Sequence, residues 1–174
     1  MQATTTITPT FTAEDIAARV AALGAEIRHD AGPDAEVFLL SILKGTSVFL
    51  ADLLRAVDGP VSYGFIDVIR DSPDQQIADA LEIDFLSYTD IRGRHVYVLK
   101  DVVNSGIIEN YLLDQLKMHA PAALRLVALL DRPSARTIEL SVDFRAFEIP
   151  GGTFAGYGLE VDGRNGNLPF ISRL

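Results

Sequence analysis

Three stretches of this chain are apolar on both faces of an extended backbone: "EVFLLSIL" from Glu36 to Leu43, the run from His95 to Val103, and "LRLVALL" from Leu124 to Leu130. A strand of that kind cannot face water on either side, so it belongs inside a sheet covered above and below. Helical patterns fall between these runs. Thr12 followed by Asp15 matches a capping box that opens a helix, with Ile16, Val20, Leu23 and Ile27 on one face. "KGT" turns the first strand into a helical pattern from Ser47 to Val57. A helix after Gly106 places Ile108, Leu112 and Leu116 together. Val61 to Ile69 reads as another strand, "RDSPDQQ" from Arg70 to Gln76 as a polar lid, and "IADALEIDFLSY" as a hairpin strand. Residues 1–11 are Thr-rich and read as loose or extended, and the aromatic, Gly-rich tail "VDFRAFEIPGGTFAGYGLEVDGRNGNLPF" promises short strands and loops. The alternation predicts an α/β fold: a mainly parallel sheet flanked by helices.

With 174 residues, the chain is expected to form one domain over 1–174 with a substantial core. Its 15 basic against 24 acidic residues give a net charge of -9, which opposes a nucleic-acid backbone as partner. There is no cysteine, hence no disulfide or thiolate metal site, and His29, His95 and His119 are too scattered for a metal site or a triad. Apolar runs stay well below the roughly 20 residues that cross a bilayer, and the first thirty residues show no basic start with an apolar signal core. The expectation is a cytoplasmic protein with no membrane or nucleic-acid partner.

In open α/β sheets ligands bind beyond the carboxyl ends of the strands, and three turns there carry suitable chemistry. Asn104-Ser105-Gly106 opens a helix, where free N–H groups and the helix dipole suit an anion and Ser105 adds a hydroxyl; a plain cap and tight turn is the alternative. At Leu43-Lys44-Gly45, glycine lets the backbone approach a ligand and the lysine offers a point charge for phosphate oxygens, or simply a solvated cation. In Asp131-Arg132-Pro133 the guanidinium can donate to a ligand carbonyl, or the segment is an ordinary charged turn.

Taken in order, "LLSILKGTSVFLADLLRAV", "HVYVLKDVVNSGIIENYLLDQLK", "LRLVALLDRP" and the "FEIP…GYGLE…NLPFI" ending resemble the hypoxanthine-guanine phosphoribosyltransferase family, of the type I phosphoribosyltransferase fold, over nearly the whole length. The resemblance implies a small irregular hood formed by the C-terminal segment. It also implies a purine base displacing pyrophosphate from phosphoribosyl pyrophosphate with magnesium, and a homodimer or homotetramer, for which Phe49 and Leu53 offer either a contact or core. By similarity, the Leu43-Lys44-Gly45 turn would face the pyrophosphate, and Ser105 with Gly106 would cradle the 5'-phosphate. Arg132 stands where a Lys usually meets the 6-oxo group, and Glu160 stands for the family's Asp as a metal ligand through water.

The same resemblance locates departures. The phosphoribosyl motif, normally two acids, two apolar residues and an Asp, reads Lys100, Asp101, Val102, Val103, Asn104. Lys100 donates where an acid accepts the ribose hydroxyls, and Asn104 cannot act as the general base assigned to the Asp. The aromatic that stacks on the purine falls on Thr153, and a one-residue slip at the "GG" of 151–152 would bring in Phe154. An Arg aligned with Gly166 is missing, with Arg164 near enough to replace it. Three readings follow: a divergent 6-oxopurine phosphoribosyltransferase, a catalytically impaired nucleotide-binding sensor or partner of an active paralogue, and a phosphoribosyltransferase for another base.

Overall fold

The computed structural model describes residues 7–66, 69–70, 81–82 and 90–174. Helix α1 (Ala13–Ala31) begins with the expected capping box: Asp15 N donates to Thr12 Oγ1 at 3.1 Å and Thr12 N donates to Asp15 Oδ2 at 2.9 Å. Two of the orphan donors of the first turn are thereby satisfied. Strand β1 (Val37–Ile42) is buried at all six positions, and α2 (Ser47–Ala56) and β2 (Val61–Ile66) follow. Ile69–Arg70 (β3) and Leu81–Glu82 (β4) pair antiparallel; the rest of the stretches read as a lid and a hairpin strand lies outside the described residues. Strand β5 (His95–Val103), α3 (Ile107–Lys117), β6 (Ala123–Asp131) and β7 (Phe144–Glu148) complete the main layers.

The central sheet runs β2-β1-β5-β6-β7, and every pair in it is parallel. Alternate residues of the inner strands divide the core. Leu39, Tyr97, Leu99, Val127 and Leu129 face α1 and α2, while Leu40, Val96, Val98, Leu126 and Ala128 join Leu112 and Leu116 of α3 on the other side. This is the period-2 consequence of strands apolar on both faces. Phe49 and Leu53 are fully buried against the sheet, so the alternative of a subunit contact falls to the core. Each such side chain contributes about 1.5–3 kcal/mol through burial.

Both ends of the chain form short extended pieces, and each has a definite partner. Within the tail, Phe144–Glu148 adds a fifth parallel strand to the sheet edge, its Leu130↔Phe147 register continuing β6. The N-terminal stretch is tied down: Phe11 exchanges backbone hydrogen bonds with Ile171, and its ring stacks on Phe147 at 4.0 Å. Beside it, β8 (Phe154–Ala155) pairs antiparallel with β9 (Ser172–Arg173). Both termini together build the hood over the end of the sheet that carries the loops after β1, β5 and β6.

Candidate active site

The turn after β1 is closed by hydroxyls. Thr46 Oγ1 donates to Ile42 O at 2.6 Å and lies 2.6 Å from Ser41 Oγ, all buried. Ser47 N and Oγ both donate to Lys44 O, and the Leu43–Lys44 peptide is cis. Lys44 extends into solvent and meets Glu160 of the hood at 3.4 Å. Gly45 allows a close approach: a Cβ there would overlap Asp101 Oδ2, so that carboxylate would have to shift. The β1 turn and the end of β5 are thus packed together through the absence of a side chain.

The loop after β5 leads into α3 through Gly106, left-handed at φ 86° and making no side-chain cap. Ser105 Oγ is 3.5 Å from Ile107 N, at the outer limit of a hydrogen bond, and the first helical bond runs from Asn110 N to Gly106 O. The Glu109 amide is taken up by its own carboxylate, and the weakly held Ile107 N and the Ile108 N stand at the positive end of the helix, chemistry that suits an anion. Asn104 is exposed beside it.

An unforeseen arginine holds that loop. Arg136, just past the 3-10 turn Pro133–Ala135, donates to Val103 O at 3.0 Å and Asn104 O at 2.5 Å, and pairs with Asp131. Thr137 N adds a bond to Ser105 O at 3.2 Å. Asp131, expected in a charged surface turn, is only 3 % exposed at its side chain and also accepts from Arg145 at 3.0 Å. It is the buried hub of three neighbouring segments. No sequence signal marked Arg136, because its partners meet it only through the β5–β6 register.

Arg132 lies against the hood. Its Nε is buried without a hydrogen-bond partner among the described residues, and its guanidinium occupies the space over Gly151, where a Cβ would be 2.7 Å from Nη2. Gly152 makes the same room for Arg173. The "GG" thus admits two guanidiniums rather than shifting the register. Phe154 points into the core with Ile149, Tyr157 and Ile171, while Thr153 is exposed. The expected slip does not occur, because β8 pairs Phe154 with Arg173 and commits its ring to the interior. Glu160 leans over Gly166, where a Cβ would meet its Cγ at 2.8 Å, so the space of the missing arginine is partly filled by the Glu160 stem.

At the end of β5, Lys100 Nζ pairs with Asp101 Oδ1, which also accepts from Val102 N at 2.8 Å. Nearby Glu109, in the first turn of α3, is 5 % exposed; burial pushes its carboxyl above the ordinary value, with Lys100 and Arg136 pulling more weakly the other way. A buried acid in a first helical turn looks, in sequence, like a solvated partner of the dipole.

A family model described as "Phosphoribosyl transferase domain" matches residues 11–162. The hypoxanthine-guanine phosphoribosyltransferase of Mycobacterium avium is 35% identical over 169 residues, covering 94% of this chain and 83% of that protein. The Bacillus subtilis enzyme of the same name is 31% identical over 161 residues, covering 92% and 89%. The chain belongs to the hypoxanthine-guanine phosphoribosyltransferase family. The crystal structure of a Bacillus anthracis hypoxanthine-guanine phosphoribosyltransferase superposes with a TM-score of 0.85 at 30% identity, covering 97% of this chain and 99% of that one. A Trypanosoma cruzi hypoxanthine phosphoribosyltransferase, solved as a lysine-to-arginine mutant in a ternary substrates complex, reaches 0.89 at 30% identity, covering 95% and 94%.

This family generally uses magnesium, but among the described residues those expected to serve it have other partners or no donor. Lys100 cannot ligate a cation, Asp101 is engaged by it, and Glu160 is paired with Lys44. Among the described residues no group of three or more His, Asp or Glu side chains is placed to hold a metal ion.

Proposed function

We propose that the chain transfers the phosphoribosyl group of phosphoribosyl pyrophosphate to a 6-oxopurine such as hypoxanthine or guanine, releasing pyrophosphate and a nucleoside 5'-monophosphate. The observation that carries this reading is the packing of the turn after β1 against the end of β5, Gly45 on Asp101, beside the N-terminus of α3. They can hold a doubly phosphorylated ribose at both ends, the 5'-phosphate on residues 105–108 and the pyrophosphate at Lys44 and Gly45. Asp101 accepts from a ribose hydroxyl. Arg132, whose Nε has no acceptor among the described residues, donates to the 6-oxo oxygen. The base nitrogen attacks C1', the C1'–O bond to pyrophosphate breaks, and the base proton leaves to solvent, since the Asn104 amide orients but takes no proton. Positioning and electrostatic complementarity supply the acceleration.

The test is to incubate the folded protein with phosphoribosyl pyrophosphate, magnesium and each of hypoxanthine, guanine and xanthine. Nucleotide formation above the enzyme-free control is expected, and its absence overturns the reading. The Lys100–Asp101 pair and Asn104 favour a second reading, nucleotide binding without turnover; thermal stabilisation by purine monophosphates in an inactive protein would select it. The same proposal includes a cytoplasmic homo-oligomer, to be tested by light scattering; on α2, Val48 is exposed where Phe49 and Leu53 are not.

A further inference from the structure

The hood loop from Val161 to Asn167 reads "VDGRNGN", with an Asp-Gly and an Asn-Gly pair that the fold holds differently. Asp162-Gly163 is the centre of a two-residue turn with φ of 52° and 69°. Val161 N donates to Arg164 O at 3.1 Å and Arg164 N to Val161 O at 3.0 Å, closing it on both sides. Asn165, left-handed at φ 67° and half-buried, starts the next turn, in which Leu168 N donates to its carbonyl at 3.2 Å. Gly166 is anchored by its own carbonyl, which accepts from Gly158 N at 2.9 Å; among the described residues the Gly166 N–H has no partner. A glycine nitrogen that is unbonded and carries no Cβ is the backbone nucleophile with least in its way.

We propose that Asn165 is a self-modifying site whose conversion loosens the hood from the turn after β1. Gly166 N attacks Asn165 Cγ, the new N–C bond closes a succinimide, and the side-chain nitrogen leaves as ammonia with the Gly166 proton. Water then opens either imide carbonyl, leaving an aspartate or an isoaspartate whose backbone runs through the former side chain. The other asparagines are guarded: Leu168 N, after Asn167, is hydrogen-bonded, Tyr111, after Asn110, lies inside α3, and Ser105, after Asn104, carries a Cβ. Asp162 lags because a carboxylate is a poorer electrophile than an amide. The site is also coupled to the sheet. Gly166 lies beneath the Glu160 stem, Glu160 meets Lys44, and Gly158, bonded to Gly166 O, is so near the β1 turn that a Cβ on it would be 2.8 Å from Gly45 O. An isoaspartate lengthens the backbone just before these contacts, and either product adds a negative charge to the segment that holds Glu160. The inference is independent of the transfer reaction.

The experiment incubates the full chain in mildly alkaline buffer and follows its tryptic peptides by mass spectrometry. A gain of about 1 Da is expected first in the peptide that begins at Asn165, with fragment ions placing it there rather than at Asn167. Enzymatic methylation of isoaspartate then detects the rearranged backbone. Gain that appears first at Asn104, Asn110 or Asn167, or isomerisation at Asp162 alone, overturns the proposal. So does a folded chain that gains no mass while the excised peptide does. Asn165→Gly removes the amide and suits φ 67°, so it keeps the turn and is expected to lose the early mass gain; an equal early gain overturns the assignment. The loosening is read by amide hydrogen exchange. Gly158 N–H should exchange at least about tenfold faster in the converted protein than in the fresh one, as for the loss of one hydrogen bond. Unchanged exchange at full conversion, or the same acceleration in Asn165→Gly protein kept for the same time, overturns the coupling to the hood.

Discussion

Arg136→Met tests whether the loop after β5 is held from β6. The guanidinium is 13 % exposed and makes three charge-assisted contacts, to Val103 O, Asn104 O and Asp131. Methionine keeps much of the stem's volume but offers no donor. Val103 O keeps a bond from Arg132 N at 3.0 Å, and the exposed Asn104 turns to water, so those two losses are partly compensated. Asp131 is different: at 3 % exposure it retains only Arg145, itself half-exposed. Breaking a buried pair costs about 3–5 kcal/mol, and the surviving arginine argues for the lower end, about 3 kcal/mol. For a domain of this size that lowers Tm by about 6–12 °C. Differential scanning calorimetry and urea unfolding read it directly. A double-mutant cycle with Asp131→Leu should give a coupling energy of at least about 1.5 kcal/mol, because removing both partners leaves no orphaned charge. A Tm shift below about 2 °C for Arg136→Met, or strict additivity in the cycle, would refute the argument that this ion pair fastens the loop.

Gly45→Ala should fold, but its Cβ would overlap Asp101 Oδ2 and push that carboxylate off Val102 N and Lys100. Calorimetry should show nucleotide affinity at least about tenfold lower, and in an Asp101→Ala background the same substitution should leave Tm unchanged. Glu109 has a folded pKa raised by burial, so the stability it contributes is complete below its unfolded value near 4.5 and is lost as pH rises through the raised one. Glu109→Gln should therefore flatten the loss of Tm between acid and neutral pH and melt higher than the wild type at neutral pH; an unchanged profile would show that the carboxyl is not buried as charged. Asn104→Asp combined with Lys100→Glu should raise nucleotide formation from phosphoribosyl pyrophosphate by up to about 10²- to 10⁴-fold if a proton acceptor and a ribose acceptor are what limits turnover. An inactive but folded double variant would shift the blame to Thr153, Gly166 and the hood.

What could be read from the residues and what could not divide along a physical line. Strands apolar on both faces have one home, the middle of a covered parallel sheet, so "EVFLLSIL" and "LRLVALL" placed β1 and β6 without any tertiary information, and the loops after them followed at the ligand end. The cap at Thr12 was legible for the same reason: its partner is three residues away. Interactions set by register were not legible. Arg136 reaches Val103 because β5 and β6 align Val103 with Asp131, and Arg145 reaches Asp131 because β7 lies next in the sheet, alignments that no local pattern encodes. Gly151 and Gly152 misled for a related reason. A glycine pair marks freedom or close approach with the same letters, and only the fold shows that two arginines fill the space, leaving Phe154 in its core register. The departures at positions 100 and 104 were visible from the start, but their meaning depended on geometry. A lysine beside an aspartate at a strand end is an ordinary surface pair unless its neighbours are Gly45, a buried Glu109 and a helix N-terminus; with these around it, it is a neutral strand end beside the loop proposed to hold an anion.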